Sequence, residues 1–180
     1  MCPIDFSTGK TGWQFCNLIS ISGKDMKDRK TFLQACKDAA TIGTIQASYM
    51  DFDFLGEATA NIVKDDPLIG VSISGIMCSP SILLNGDILK EGAEIILDQN
   101  EKIAAKLHIN NSSRVCCIKP DGNLSAMTGN TPGCHGEHAK NYIRRVQVNK
   151  DEESGIIYKK INPKSVVEYV WSNNKTDNCI

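Results

Sequence analysis

Leu68-Ile69-Gly70-Val71-Ser72-Ile73-Ser74-Gly75 is the stretch on which the fold turns. A short apolar run rich in β-branched residues, preceded by Asp66-Pro67 and ending at a glycine, reads as a strand. Upstream, Phe15-Cys16-Asn17-Leu18-Ile19-Ser20-Ile21 reads as another strand, ended by Ser22-Gly23. Between them, Asp28 can cap a helix running from about Arg29 to Tyr49. Phe32, Cys36, Ala39, Ala40, Gly43 and Ala47 keep helical spacing along it. A second, short helix is predicted over Phe54–Val63, stopping before Asp66-Pro67. Downstream, Asp87 opens a long helix to about Leu107, with Ile88, Gly92, Ile96, Ile103 and Leu107 as its buried stripe. Ser113–Ile118 is a third strand. The order strand, helix, strand, helix, strand implies βαβ crossovers and a largely parallel sheet. Further on, Tyr142–Val148 is a fourth strand candidate, Glu152–Ile161 has a helical pattern, and Ser165–Trp171 is amphipathic and ambiguous. No repeat, low-complexity tract or linker interrupts the chain, so 1–180 reads as a single segment.

At 180 residues and 41% apolar content the chain can supply one domain core or a piece of a larger one. A net charge of −1 gives no global pull toward nucleic acid or an anionic membrane. The apolar runs fall far short of the roughly 18 residues a membrane span needs. Met1-Cys2-Pro3-Ile4-Asp5 has neither a basic region nor an apolar region of a secretory signal, so a cytoplasmic location is expected. Eight cysteines occur without a CxxC pair in a chain that is otherwise core-forming. Reduced thiols, mostly packed as small apolar groups, are therefore expected rather than a disulfide framework.

In parallel sheets function gathers at the carboxyl ends of strands. Those ends are Ile21-Ser22-Gly23, Gly75-Ile76-Met77-Cys78 and Lys119-Pro120-Asp121-Gly122-Asn123-Leu124-Ser125. A glycine-containing turn followed by small polar residues can point backbone N–H groups at an anion. Gly129-Asn130-Thr131-Pro132-Gly133 is a second such loop. The competing reading is two ordinary surface turns, and Asp121 argues against an anion by like-charge repulsion. Cys134-His135-Gly136-Glu137-His138, with Cys116 and Cys117, matches no usual zinc spacing, so no metal site is expected. Cys116 and Cys117 should point to opposite faces of one strand. Cys16 is either a buried core thiol or a redox thiol. The second reading needs another thiol within disulfide reach, with Cα atoms about 5.5 Å apart. The sequence does not name that partner. Arg144 and Arg145 stand on opposite faces of a strand, where one can reach a site or both stay solvated.

Several ordered segments also resemble one family. Gly12-Trp13-Gln14-Phe15-Cys16-Asn17-Leu18 resembles a segment of the ribonucleotide reductase catalytic subunit, most like the adenosylcobalamin-dependent (class II) type. The similarity continues through Ala39–Ala47 and Leu68–Met77, then Cys117–Ser125 and Thr131-Pro132-Gly133-Cys134-His135. It ends with Tyr142–Gln147 and Val170–Asp177.

The resemblance implies an α/β fold: part of a ten-stranded barrel with largely parallel strands and crossover helices. In that family a finger loop carries a radical cysteine in an Asn-x-Cys-x-Glu context, just before the Gly-Trp-Gln-Phe-Cys segment. No such motif occurs here, and Cys2 lacks both neighbours, so it is not assigned that role. The chain is expected to be a fragment, inactive alone, that needs a complementary N-terminal catalytic chain. By the resemblance, Cys16 is the barrel cysteine that reduces the ribose together with a cysteine of the absent part. Lys119, Pro120, Asp121, Gly122, Asn123, Leu124 and Ser125 match the loop whose backbone holds the substrate phosphates. The family more often has Ser-Gly-Thr where this chain has Asp121-Gly122-Asn123, and His-Pro where it has His135-Gly136.

The implied chemistry is reduction of a ribonucleotide di- or triphosphate. A radical removes the 3′ hydrogen, a carboxylate assists loss of the 2′ hydroxyl, and two thiols supply the electrons. The resulting disulfide is re-reduced by an outside dithiol such as thioredoxin. Adenosylcobalamin is the implied cofactor, and neither nucleic acid nor membrane is an expected partner. The alternative is a stand-alone or decayed α/β module that binds nucleotide phosphate without catalysis.

Overall fold

The structure is a computed structural model. It describes residues 3–139, 141–143, 145–168 and 177–179, with residue 53 and residues 177–179 described by backbone alone. Cys2, Arg144 and residues 170–176 of the last family-like segment lie outside the described residues. The chain divides into two compact units, Met1–Glu137 and His138–Ile180.

In the first unit, β1 (Asn17–Ser22) and β2 (Ile69–Ser74) pair in parallel, with Asn17 opposite Ile69 and Ser22 opposite Ser74. The crossover between them holds α1 (Arg29–Ala47) and α2 (Glu57–Asp65). As expected, Asp28 caps α1: its carboxylate accepts from the Thr31 N–H at 2.7 Å, worth about 1 kcal/mol. The single helix expected over Phe54–Val63 is instead a 3-10 turn at Asp53–Leu55 followed by α2. Gly56, between them, has φ 85°, a conformation that cannot continue a right-handed helix.

After β2 come a 3-10 turn (Ile76–Cys78), a single helical turn α3 (Pro80–Leu83) and the long α4 (Gly86–Leu107). Asn85, not Asp87, caps α4, accepting from the N–H groups of Asp87 and Ile88. Helices α1 and α4 pack closely where Gly92 stands. A Cβ there would lie 2.8 Å from the Phe32 ring and 3.0 Å from Cys36 Sγ. The expected stripe of α4 is out of phase. Gly92 and Ile96 are buried, but so are Gln99, Asn100 and Ala104, while Ile88 and Ile103 are half-buried and Leu107 is exposed. Asn100 can be buried because its amide is fully engaged. It donates to Thr44 Oγ1 at 2.9 Å and Ser112 Oγ at 3.3 Å, and accepts from the Ser112 N–H at 2.9 Å.

The third strand, expected over Ser113–Ile118, is reduced to one parallel bridge between Val71 and Cys116. The Val71 N–H donates to the Val115 carbonyl and the Cys117 N–H to the Val71 carbonyl. Beyond that the ladder stops. The Lys119 N–H turns to Ser72 Oγ at 3.2 Å, and Pro120 has no N–H to offer. The loop leads into α5 (Gly122–Thr128). The core is formed by Ile21 and Val71 of the sheet with Phe32, Cys36 and Ala40 of α1 and Ile96 of α4. Each large apolar side chain so buried contributes on the order of 1.5–3 kcal/mol.

The second unit contains β3 (Gln147–Asn149), α6 (Glu153–Ile161), a 3-10 turn (Pro163–Ser165), β4 (Val167–Glu168) and β5 (Asp177–Cys179). Its sheet has the order β3-β5-β4 and is antiparallel throughout. The strand expected over Tyr142–Val148 is thus shorter and antiparallel. Tyr142 lies before the ladder, which begins at Gln147, and packs its ring on His138, with centroids 4.8 Å apart. The α/β class and the parallel crossover stand as expected. The described strands do not close a ten-stranded barrel: one parallel pair and a bridged third segment make up only part of such a ring.

Candidate functional site

Both sheet strands carry the pattern apolar–Ser–Ile–Ser: Ile19-Ser20-Ile21-Ser22 and Val71-Ser72-Ile73-Ser74. Side chains alternate across a strand, so the parallel register puts the isoleucines and Val71 on one face and the serines on the other. The apolar face lies against α1 and α4. The opposite face carries Leu18, Ser20 and Ser22 of β1, Gly70, Ser72 and Ser74 of β2, and Cys117 and Lys119 of the bridged segment. Cys16, just before β1, lies on that face too.

Two thiols meet at Gly70. A Cβ on this residue would stand 2.8 Å from Cys16 Sγ, 2.8 Å from Cys117 Sγ and 2.9 Å from Leu18 Cδ2. The absent side chain is therefore the space between the two sulfurs. Cys16 is exposed, which sets aside the buried-core reading of that residue. Burial of its sulfur raises the thiol pKa somewhat. Cys117 is raised by burial first and by the Cys16 thiolate second, with Lys119 acting in the other direction. Cys36, expected in the buried stripe of α1, is buried and pushed up to about 12 by its apolar surroundings, with a smaller push from Cys116. Cys116 is exposed as a residue, yet burial of its sulfur on the helix side raises its thiol as well. The neighbouring cysteines 116 and 117 thus serve opposite faces, as expected.

Toward the carboxyl ends the polar face becomes charged. Lys119 Nζ donates to Ser20 Oγ at 2.9 Å and lies 2.9 Å from Asp121 Oδ1. Ser20 Oγ donates to the same carboxylate oxygen at 3.2 Å. Asp121 is buried, holds a left-handed φ of 48° and leaves Oδ2 without a hydrogen-bond partner. Ser74 Oγ, also buried, is likewise unpartnered. Ser22 and Asn130 exchange side-chain hydrogen bonds at 3.2 and 3.3 Å. The N–H groups of Gly75 and Ile76 both donate to the Gly133 carbonyl. The three strand-end loops singled out in the sequence therefore converge.

Within the 119–125 loop, Pro120, Gly122, Asn123 and Leu124 are exposed, and the first N–H groups of α5 have no intrahelical acceptor. Ser125 is buried, its hydroxyl donating to the Gly122 carbonyl at 2.8 Å, so that oxygen is already committed. Cys16 and this loop do not touch. Four residues of extended strand separate Cys16 from Ser20, about 13 Å of rise, with Gly70 and Cys117 between. Ser20 and Ser72 are not singled out as site residues by the sequence, and Cys117 and Asn130 are weighed there only as a metal-ligand candidate and as part of a second glycine loop. The signal that marks the two serines is the shared Ile-Ser alternation, once the two strands are set in register.

No family model matches the chain. The probable adenosylcobalamin-dependent ribonucleoside-triphosphate reductase of Dictyostelium discoideum is 33% identical over 98 residues, 52% of this chain and 13% of that protein. The adenosylcobalamin-dependent ribonucleoside-triphosphate reductase of Euglena gracilis is 32% identical over 89 residues, 46% of this chain and 12% of that protein. The crystal structure of a B-12 dependent (class II) ribonucleotide reductase shares the fold, with a TM-score of 0.55 over 91% of this chain and 26% of its own, at 16% identity. The chain thus spans about an eighth of the length of the two relatives and about a quarter of the solved chain. By sequence over about half its length and by fold over about nine-tenths, it is similar to part of an adenosylcobalamin-dependent (class II) ribonucleotide reductase.

Proposed function

We propose that residues 1–180 act as one segment of a ribonucleotide reductase catalytic barrel, working with a complementary chain that carries the Asn-x-Cys-x-Glu motif. The observation that carries this reading is the polar sheet face. It holds a thiol at one end, Cys16, and a loop with open backbone N–H groups at the other. A ribonucleotide laid along that face would put its ribose near the thiols and its di- or triphosphate at residues 119–125.

In this reading Cys16 supplies one reducing thiol. Two thiols and a ribonucleotide give a deoxyribonucleotide, water and a disulfide, which a thioredoxin-like dithiol reduces again. The phosphate loop holds the ribose in place, a positioning effect. Adenosylcobalamin is named for both relatives, but this chain's own residues do not fit a corrinoid. An apolar cavity of about 340 Å³ is lined by Phe32, Cys36, Leu89 and Ile96 of the helices and by Val71, Ser72, Cys116 and Cys117. That is at the small end of pockets for drug-sized ligands, about 300–1,000 Å³, far too small for a corrinoid. The complementary chain would hold that group.

One observation favours the alternative, a nucleotide-phosphate-binding or decayed module without catalysis. The buried Asp121 carboxylate pairs with Lys119, so the loop's one lysine is already neutralised. The test mixes the chain with the motif-bearing part of a class II reductase, adenosylcobalamin, a dithiol and a ribonucleoside triphosphate. Turnover that requires both chains supports the catalytic reading. Nucleotide binding with no turnover in any mixture supports the module, and turnover by this chain alone overturns the need for a partner.

A further inference from the structure

We propose that the cavity between the two long helices and the bridged segment is a binding site for a small uncharged aromatic molecule of about two fused rings. The proposal goes beyond the reductase reading and does not rest on it.

The cavity, about 340 Å³, lies between Phe32 and Cys36 of α1 and Leu89 and Ile96 of α4 on one hand, and Val71 of β2 and Cys116 on the other. Its walls are held apart. A Cβ at Gly92 would lie 2.8 Å from the Phe32 ring, so α1 and α4 already stand at closest approach there. The Val71 N–H donates to the Val115 carbonyl and the Cys117 N–H to the Val71 carbonyl, which pins the bridged segment to β2. Gly92 and Ala93, both lining residues, are too short to fill the space from α4. Ile118 lines the cavity yet is 81% exposed, which puts it at the mouth and gives a ligand a way in without unfolding.

The lining selects the ligand. No charged side chain lines the cavity. Its polar groups are already engaged: Ser72 Oγ accepts from the Lys119 N–H, and Cys134 Sγ donates to the Ile73 carbonyl. Water inside would find few partners, and a charged ligand would lose its hydration without compensation. Burial pushes the Cys36 thiol up to about 12, with a smaller push from Cys116, and burial raises Cys116 as well. At pH 7 both are neutral thiols, and soft sulfur favours contact with aromatic rings. The Phe32 ring adds an aromatic wall. A dry cavity of about 150 Å³ lined by Leu, Ile and Phe takes one benzene ring. This one is a little over twice as large, so two fused rings fit.

The experiment titrates the full chain with naphthalene by calorimetry, with 2-naphthoate as the charged counterpart. Naphthalene should bind at one saturable site, and 2-naphthoate at least about tenfold more weakly. Bound naphthalene should slow iodoacetamide labelling of Cys116 and leave Cys16, which does not line the cavity, unchanged. Ala93→Phe should fill the space and abolish binding. Ile118→Trp changes an exposed residue at the mouth, so it keeps the test decisive if the first variant fails to fold, and it should weaken binding by about tenfold. Absence of saturable naphthalene binding to the folded wild type overturns the proposal. So does equal binding of 2-naphthoate, or wild-type affinity in a folded Ala93→Phe or Ile118→Trp chain.

Discussion

Lys119 and Asp121 form an ion pair at the mouth of the polar face, Nζ to Oδ1 at 2.9 Å, with Ser20 closing a triangle of hydrogen bonds. The lysine is the one cation in the 119–125 loop, and its charge is spent on a buried carboxylate. A phosphate arriving there meets backbone N–H groups but no net positive charge.

Removing that charge should strengthen anion binding. Asp121→Asn keeps a residue type that tolerates the left-handed backbone and frees Lys119 for a ligand. Affinity for a nucleoside triphosphate should rise by about tenfold, the scale of one hydrogen bond to a charged group. Titration calorimetry of the two proteins checks this. Equal or weaker binding by the variant would remove the 119–125 loop from consideration as a phosphate site.

The α1–α4 contact depends on a polar residue. Asn100→Leu leaves the buried Ser112 N–H without its acceptor and takes a donor from Thr44 and Ser112. The expected loss is about 2–3 kcal/mol, read from urea midpoints. A change below about 0.5 kcal/mol would mean that the Asn100 network contributes nothing net.

The thiols should separate by reactivity. With its pKa pushed to about 12, Cys36 is thiolate at about one part in ten thousand at pH 8. It should resist iodoacetamide in the native chain while Cys16 is labelled, and urea should abolish the difference. Native labelling of Cys36 at the rate of Cys16 would show that α1 does not bury it.

Asp5 gives a pH signature. Hydrogen bonds from Thr8, Ser7 and Asn61 hold its carboxyl well below the usual carboxylate range. A depressed folded-state pKa contributes stability that is fully present above the unfolded value near 3.8. That contribution is lost as pH falls through the folded value. Asp5→Asn should therefore be less stable than wild type at pH 6, and the gap should narrow steadily, without closing, as pH drops from about 4 to about 2. A gap that stays constant over that range would assign the difference to packing rather than to the charge.

What the sequence made legible was local. Asp28 marks its helix start because a capping carboxylate acts within three residues, and the two strands announce themselves as β-branched runs. Gly56 broke the second helix through a backbone angle that no neighbouring residue advertises. The phase of α4 shifted because Asn100 and Gln99 found hydroxyl partners on α1 and at Ser112, a match between distant segments. The Cys16–Cys117 meeting was hidden for the same reason. It depends on two parallel registers on either side of Gly70, and a register is set by pairing rather than by the residues around each cysteine.

The most direct measurement is steady-state ribonucleotide reduction by this chain reunited with a motif-bearing complementary chain. Wild type is compared with Cys16→Ser, and nucleotide affinity is measured in parallel. A serine hydroxyl can neither supply a reducing thiol nor form a disulfide, and the change is small and local. Nucleotide affinity should stay nearly unchanged, and turnover beyond the first cycle should vanish. Cys36→Ser should cost stability alone, on the order of 1–2 kcal/mol. Normal multiple turnover by Cys16→Ser in the reunited enzyme would contradict the account and leave Cys16 without a redox role.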